Sequence, residues 1–259
     1  MSRFIDKLNR VSPDVPQPMG FRTARSVSSK PKMLLIASLA QADVDSLADY
    51  VAGADAGLLH ISELSSGAKT LQKISQAMPD IPWGGWLGKS GQGGIKQMVK
   101  VGCDFVVFPE ASTSLAILQD DEIGKILEVE SSLSEGLLSA VNELPVDAVL
   151  IAGEEEEGYF LTWHHLILFQ RFTNLLTKPL LVSIPSKVTS SEFQALWEAG
   201  VDGVVIEAGV GQPDRLKGLR QTINKLAFPL PRKRKKAEAL LPRISQESGT
   251  AINEEEEEE

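Results

Sequence analysis

The sequence predicts an α/β protein that folds as a single (β/α)8 barrel of the TIM type, with an extension at the N-terminus and a flexible tail at the C-terminus. Three observations predict this fold: eight short β-forming runs, a helical pattern after each run, and an internal repeat that spans two strands. The length of 259 residues fits one such barrel. We expect the barrel over residues 32–227, the extension over 1–31 and the tail over 228–259.

The eight predicted strands are mostly continuous apolar runs, as expected for parallel strands that are covered on both faces. They span residues 33–37, 56–61, 81–86, 104–108, 126–130, 147–152, 180–184 and 202–206. The fifth is the weakest, because Glu128 and Glu130 interrupt the run. Segments with helical spacing lie between the strands, such as 188–199 and 216–226.

The internal repeat lies where the chain enters the strands. Strands two, four and eight follow Gly-x-Asp and strand six follows Pro-Val-Asp; the aspartates are Asp55, Asp104, Asp202 and Asp147. Glycine suits the left-handed end of a helix, and aspartate can bond the backbone where the chain turns. Strands one, three and seven instead follow Pro31, Pro82 and Pro179. This alternation favours a closed barrel of quarter units over the alternative, a doubly wound open sheet.

Composition and charge argue for a cytoplasmic protein. Cys103 is the one cysteine, so an internal disulfide is excluded. Of the net charge of −9, residues 254–259 contribute six negative charges, which leaves −3 for the rest. That balance argues against nucleic acid as a partner. No apolar run reaches the roughly 18 residues of a membrane span, and residues 1–10 lack the apolar core of a signal peptide. We therefore expect no membrane partner.

The two terminal segments differ in character. Phe4, Ile5 and Leu8 lie on one face of a short amphipathic helix, which we expect to cover the bottom of the barrel. The tail has a basic run over 232–236 and ends in glutamates, a composition too polar to bury a core. We expect the tail to be solvated or self-associating, since the basic run lacks the aromatic residues of a nucleic-acid site.

Functional residues of such a barrel lie at the C-terminal ends of the strands and in the loops that follow. Counting five residues from the aspartate of each even strand reaches His60, Pro109, Ala152 and Glu207. The next position on strand four is Glu110. We expect His60 and Glu207 at similar height, on the two strands that flank strand one.

A second count, seven residues from the proline of each odd strand, reaches Ser38, Lys89 and Ser186. We predict that His60, Lys89, Glu110 and Glu207 are catalytic, because a histidine, a lysine and carboxylates together can transfer protons near neutral pH. Ser38 and Ser186 are predicted to bind the ligand. The alternative is that each of these is a solvated loop residue near a strand end.

The stretch over 84–94 is rich in glycine and contains Gly88-Lys89-Ser90. It is not a nucleotide-binding phosphate loop, because that motif needs a glycine five residues before Gly88 and the chain has Trp83 there. We predict a loop after strand three in which Lys89, Gly91 and Gly93 could bind an anion. The alternative is a glycine-rich connector without a ligand.

Two further features concern metals and partners. His164 and His165 are adjacent, so they do not form the i, i+4 pair that binds zinc, and no metal site is predicted, although rim carboxylates alone could hold Mg²⁺. The helix between Tyr159 and Leu176 is apolar on more than one face. We predict that it forms a homo-oligomer interface; the alternative is packing against the terminal extensions.

Residues 178–185 and 196–209 resemble the last quarter of the phosphate-binding barrels, a group that includes the ribulose-phosphate-binding and FMN-dependent barrel enzymes. Weaker similarity surrounds Asp55, Asp104 and Asp147. The resemblance implies the barrel fold and leaves the activity open.

This chain departs from those families at their phosphate site. Their strand seven ends in Gly-Gly and their strand eight in Gly-Ser or Gly-Thr, which expose backbone N–H groups. Here Pro185 lacks a donor, and Glu207 puts a negative charge where the phosphate would lie. The inherited phosphate site is therefore expected to be lost, with Gly209 and Gly211 able to form a displaced anion site.

The leading hypothesis is a lyase or isomerase that acts on a small anionic metabolite at the rim. In this scheme Lys89 contacts the anion or forms a Schiff base, and Glu207 or His60 is the general base. One alternative is a non-catalytic barrel that serves as a binding or assembly module. A second alternative is a flavin-dependent barrel with an atypical phosphate site. The sequence identifies no cofactor.

Overall fold

A computed structural model describes residues 2–12, 32–40, 47–88, 95–153, 160–208 and 214–226. Within these residues eight parallel strands form a closed barrel, in which each strand pairs with the next and β8 pairs with β1. The strands are β1 (Leu34–Leu39), β2 (Ala56–Ile61), β3 (Trp83–Leu87), β4 (Phe105–Pro109), β5 (Gly124–Val129), β6 (Ala148–Ile151), β7 (Leu180–Ile184) and β8 (Gly203–Glu207). The predicted (β/α)8 fold is confirmed.

Helices lie before β1 and between and after the strands. They are α1 (Arg3–Val11), α2 (Leu47–Tyr50), α3 (Leu64–Ala77), α4 (Ile95–Lys100), α5 (Glu135–Val141), α6 (Trp163–Leu175), α7 (Ser190–Glu198) and α8 (Arg215–Lys225). A short 3-10 helix, Leu115–Gln119, connects β4 to β5. The predicted tail over 228–259 lies outside the described residues.

Strand boundaries agree with the sequence to within two residues. β2 and β7 are as predicted, and β5 includes Glu128 but ends before Glu130. Gly84 and Gly85 belong to β3, as the predicted third strand over 81–86 has them. A Cβ on Gly84 would lie 2.3 Å from the ring of Phe105, so this glycine makes room for an aromatic side chain.

The glycines of the repeat have the expected backbone. Gly53, Gly102 and Gly200 have φ of 92°, 85° and 106°, and other residue types rarely adopt this left-handed region. Each glycine ends the connection that precedes an even strand. The chain can therefore turn from the outer helical layer back into the barrel within three residues.

The aspartates of the repeat bond the backbone of the preceding odd strand. The carboxylates of Asp55, Asp147 and Asp202 accept the N–H groups of Leu35, Lys125 and Leu180 at 2.8, 2.7 and 2.9 Å. The N–H of each aspartate donates back to the carbonyl of the same partner at 2.8, 2.8 and 2.9 Å. Each aspartate thus joins an odd strand to the even strand that follows it.

Asp104 differs from the other three, because its carboxylate binds α1. It accepts hydrogen bonds from Ser2 Oγ (2.8 Å), Arg3 N (2.8 Å) and Phe4 N (2.9 Å). The first N–H groups of a helix have no partner within the helix, and the helix dipole favours a negative charge beside them. Asp104 therefore holds the N-terminus of α1 beneath the barrel.

Helix α1 closes the bottom of the barrel, as the sequence predicts. The Phe4 ring stacks on the Phe105 ring with centroids 4.4 Å apart, and Ile5 and Leu8 are buried beside it. They belong to an interior cluster with alternate residues of the strands: Leu34, Ile36, Ala56, Leu58, Phe105, Val107, Ile126, Ala148, Leu150, Leu181 and Val205. The opposite end of the barrel, at the C-terminal ends of the strands, is where the functional residues of this fold are expected.

We expect Asp104→Ala to lower the free energy of unfolding by about 2–4 kcal/mol, because hydrogen bonds to a charged group contribute about 1.5–3 kcal/mol each and water replaces part of them. Urea unfolding followed by circular dichroism measures the change. Asp80→Ala, at an exposed position, is the control. A loss no larger than that of the control would contradict the anchoring role of Asp104.

Candidate functional site

The mouth of the barrel lies at the C-terminal ends of the strands, opposite α1. Four even-strand residues lie there, each two positions after a member of the interior cluster: His60, Pro109, Ala152 and Glu207 follow Leu58, Val107, Leu150 and Val205. Side chains alternate along a strand, so all four face the mouth. The same alternation turns Ser38 of β1, Trp86 of β3 and Glu128 of β5 toward the mouth.

Four of these mouth residues form a connected chain of contacts. Ser38 Oγ lies 2.9 Å from His60 Nε2. The His60 and Trp86 rings have centroids 4.5 Å apart with an interplanar angle of 31°. The Trp86 Nε1–H donates to Glu128 Oε2 at 2.6 Å. We call this set the mouth chain; it links β1, β2, β3 and β5.

Strand register explains why these side chains meet. His60 and Trp86 are directly opposite in the pairing of β2 with β3, so their rings come into contact in a tilted arrangement. Trp86 reaches past β4 to Glu128, because the mouth position of β4 is Pro109, which has a compact side chain. The imidazole of His60 is therefore held at its edge by Ser38 and across its face by Trp86.

A cavity of about 490 Å³ adjoins the mouth chain above β4, β5 and β6. Its walls are the carboxylates and hydroxyls of the strand ends and the loops that follow: Glu110, Ser112, Glu128, Glu130, Ser131 and Ser132, with Pro109, Ala111, Val129 and Ala152. Glu128 belongs both to the cavity wall and to the mouth chain. The two features therefore form one candidate site.

Glu110 has a perturbed carboxyl group. Burial raises the pKa of Glu110 above its ordinary value, and the negative charge of Glu130 raises it further. The backbone N–H of Glu110 donates to the carbonyl of Glu128 at 3.3 Å, which fixes the start of its loop against β5. Glu110 therefore loses its proton at a higher pH than an ordinary glutamate does.

Glu207 and Ser186 lie on the other side of the mouth. Glu207 ends β8, is exposed, and pairs in register with Ser38. Glu207 on β8 and His60 on β2 lie on the two strands that pair with β1, as the repeat predicts. Ser186 lies beyond the end of β7, where its carbonyl accepts a hydrogen bond from Arg215 Nε at 2.7 Å. Ser186 is therefore beside α8 rather than beside the mouth chain.

Five other predicted site residues lie outside the described residues: Lys89, Gly91, Gly93, Gly209 and Gly211. Their predicted roles in anion binding stay predictions. Of the five described ones, the structure brings Ser38 and His60 into contact, places Glu110 in the adjoining cavity, and puts Glu207 and Ser186 at the β7–β8 side.

Sequence reasoning missed Trp86, Glu128 and Glu130. The two glutamates were treated as interruptions of a weak strand. Their spacing of two residues was nevertheless informative, because residues i and i+2 lie on the same face of a strand. Trp86 ends the predicted third strand, and its contact with His60 depends on a register that one sequence does not reveal.

Other reactive groups in the described residues are structural. Cys103 is buried, and burial raises the pKa of its thiol to about 12, so it is a poor nucleophile. His165 Nδ1 accepts the N–H of Thr162 at 3.0 Å and caps α6. Within the described ranges, no group of three or more His, Cys, Asp or Glu residues could hold a metal ion. None of the helices described there is long and apolar enough to cross a membrane.

The fold is similar to that of tryptophan synthase α-subunits. Three variant structures of that subunit from the hyperthermophile Pyrococcus furiosus match with TM-scores of 0.57, 0.57 and 0.55 at 12% identity. They cover 74–75% of this chain and 97–98% of their own chains. No protein-family model matches the sequence, and a search of curated proteins finds no significant match. At this identity the likeness concerns the fold alone.

The proximity of Glu110 and Glu130 can be tested by titration. We expect Glu130→Gln to lower the pKa of Glu110, because the nearby negative charge that disfavours its ionisation is removed. The pKa should stay above the ordinary value, since burial is the larger cause and remains. A ¹³C NMR titration of the Glu110 carboxyl measures this change, with Glu122→Gln as an exposed control. Equal values in wild type and Glu130→Gln would show that the charges are not coupled.

Proposed function

We propose that this barrel is an enzyme that transfers protons to and from a small anionic metabolite bound in its mouth, as a lyase or an isomerase. The observation that carries the proposal is the mouth chain, Ser38–His60–Trp86–Glu128. Ser38 contacts the edge of the His60 imidazole and Trp86 contacts its face, so the ring is already oriented. An oriented imidazole can accept or donate a proton without first losing side-chain freedom. Lyases and isomerases both depend on such transfers.

In this proposal His60 is the general base and Glu110 the general acid. His60 removes a proton from the substrate, and Ser38 keeps the imidazole edge oriented. Glu110 lines the adjoining cavity, and its raised pKa keeps the proton that the leaving or rearranging group must receive. Two titratable groups with different environments are the usual arrangement for acid–base catalysis.

The charges of the described residues favour one orientation of an anionic substrate. Glu110, Glu128 and Glu130 repel an anion from the side of β4 and β5. Arg215 lies across the mouth, beside Ser186 at the start of α8. The exposed Glu207 carboxylate at the end of β8 repels an anion as well, so we place the anionic group of the substrate beside Arg215 and away from Glu207. Lys89 remains a predicted anion contact or Schiff-base residue.

The first test is native mass spectrometry of the freshly purified full-length protein. A retained small molecule is the expected result, and its mass identifies the substrate class. The same molecule added to ligand-free protein should raise the melting temperature, because a ligand that binds the folded state stabilises it. A metabolite library that gives no shift on the ligand-free protein would count against an enzyme.

The predicted rim residues can be tested by binding. We expect Lys89→Ala to weaken binding of the recovered anionic metabolite, because it removes a positive charge, and Glu207→Gln to strengthen it, because it removes a negative one. Neither variant should change the melting temperature of the free protein, because neither side chain is expected to be needed for folding. Isothermal calorimetry measures the affinity. Unchanged affinity in both variants would remove these two residues from the site.

The mouth chain can be tested by turnover of the recovered metabolite. We expect His60→Gln to lower kcat by about 10²–10⁴-fold with binding largely retained, since a positioned general base contributes that much. Glu128→Gln should have a smaller effect, because it acts on His60 through Trp86. Glu122→Gln is the exposed control. A His60→Gln enzyme with unchanged kcat would exclude His60 as the base.

The second candidate function is a non-catalytic barrel that serves as a binding or assembly module. The exposed apolar side chains of α6 favour it, because a surface of that kind usually meets a partner. The two functions predict different results in the first test. The module should be a ligand-free assembly, and its His60→Gln variant should assemble as the wild type does.

A further inference from the structure

Helix α6 has two apolar faces, and within the described residues only one of them is covered. Phe169 and Phe172 are buried against the barrel. On the opposite side of the helix Trp163 and Ile167 are 81% and 65% exposed, and their spacing of four residues puts them in one stripe near the start of α6. Phe160, three residues before the helix begins, is 69% exposed. We call these three exposed apolar residues the α6 outer face.

We infer that the α6 outer face binds a second copy of this chain across a two-fold axis. In such an interface each residue faces its own copy or a symmetry-related neighbour, so a charged face would repel itself. The outer face has no carboxylate, lysine or arginine among its described residues. Arg171 turns toward α5, where it pairs with Glu135 at 3.8 Å and donates to the carbonyl of Leu133.

The exposed area is large enough to form the centre of a dimer interface. Aromatic side chains offer roughly 150–250 Å² each, so the three apolar residues together expose on the order of 400 Å² per protomer. This is about half of the roughly 800 Å² that each partner contributes to a standard interface. His164, Gln170 and Asn174 are exposed next to the stripe and would form a polar rim.

The two copies of α6 would cross antiparallel near Trp163. Trp163 would be the anchor, because tryptophan is the residue type most often responsible for interface affinity. The face lies on the outer wall of the barrel, so the dimer leaves the mouth open.

The chain's own tail is a poorer occupant of this face. Residues 232–236 are all basic and residues 254–259 are all acidic. The described residues of the outer face offer no opposite charge to either run. A second copy instead matches apolar surface with apolar surface.

The test is sedimentation velocity of the full chain over about 1–100 μM, a range that starts at the weak end of the affinities of standard interfaces. We expect a dimer, with the dissociation constant raised about 30-fold or more in both Trp163→Glu and Ile167→Glu. Leu115→Glu is the matched control, because Leu115 is 80% exposed on the 3-10 helix after β4. Circular dichroism and the melting temperature show that each variant is folded.

Each other outcome overturns the proposal. A monomeric wild type over the whole range would exclude the dimer. An oligomer that survives both α6 substitutions, or that weakens equally in Leu115→Glu, would place the interface elsewhere. An oligomer that dissociates on removal of residues 228–259 would assign the contact to the tail. None of these measurements depends on the mouth of the barrel. The dimer can therefore be disproved while the proposed function is retained, and the proposed function can be disproved while the dimer is retained.

Discussion

The barrel depends on one repeated interaction, in which an aspartate at the foot of an even strand accepts the backbone N–H at the foot of the odd strand before it. A buried carboxylate is costly unless it is hydrogen-bonded, and Asp202, which is 1% exposed, has its bond from Leu180. The same aspartate also donates its own N–H to that strand. The register of each strand pair is therefore set at the bottom of the barrel, and side-chain alternation then decides which residues face the mouth.

Asp104 uses this chemistry for a different purpose. Its carboxylate binds the N-terminus of α1, and the helix fills the bottom of the barrel with Phe4, Ile5 and Leu8. The packing at that end is apolar and closed. The other end has polar side chains that contact one another around a cavity. The division between a stabilising end and a functional end follows from the direction of the strands, which all point toward the mouth.

The sequence predicted what depends on local chemistry and missed what depends on register. Gly53 and Asp55 work within a few residues of each other, so their pattern predicted both the turn and the strand. Counting from the aspartate also reached His60. The partner of His60 could not be predicted, because Trp86 comes opposite it only through the pairing of β2 with β3. Glu128 was missed because a charged residue within an apolar run was taken as a sign of a weak strand. In the structure its side chain faces the mouth of the barrel.

The change at the end of β8 and the mouth chain have a common physical basis. In a barrel that binds phosphate with bare backbone N–H groups, a carboxylate beside that site would repel the ligand. Here Glu207 ends β8 next to Ser38, so an anion is disfavoured where those barrels would hold it. In the proposed function, an anionic ligand therefore gains its affinity elsewhere, from Arg215 or from the predicted anion contact Lys89. In the proposed function, a substrate whose anionic group contacts Arg215 would extend across the mouth toward His60, which is where the proposed proton transfer takes place.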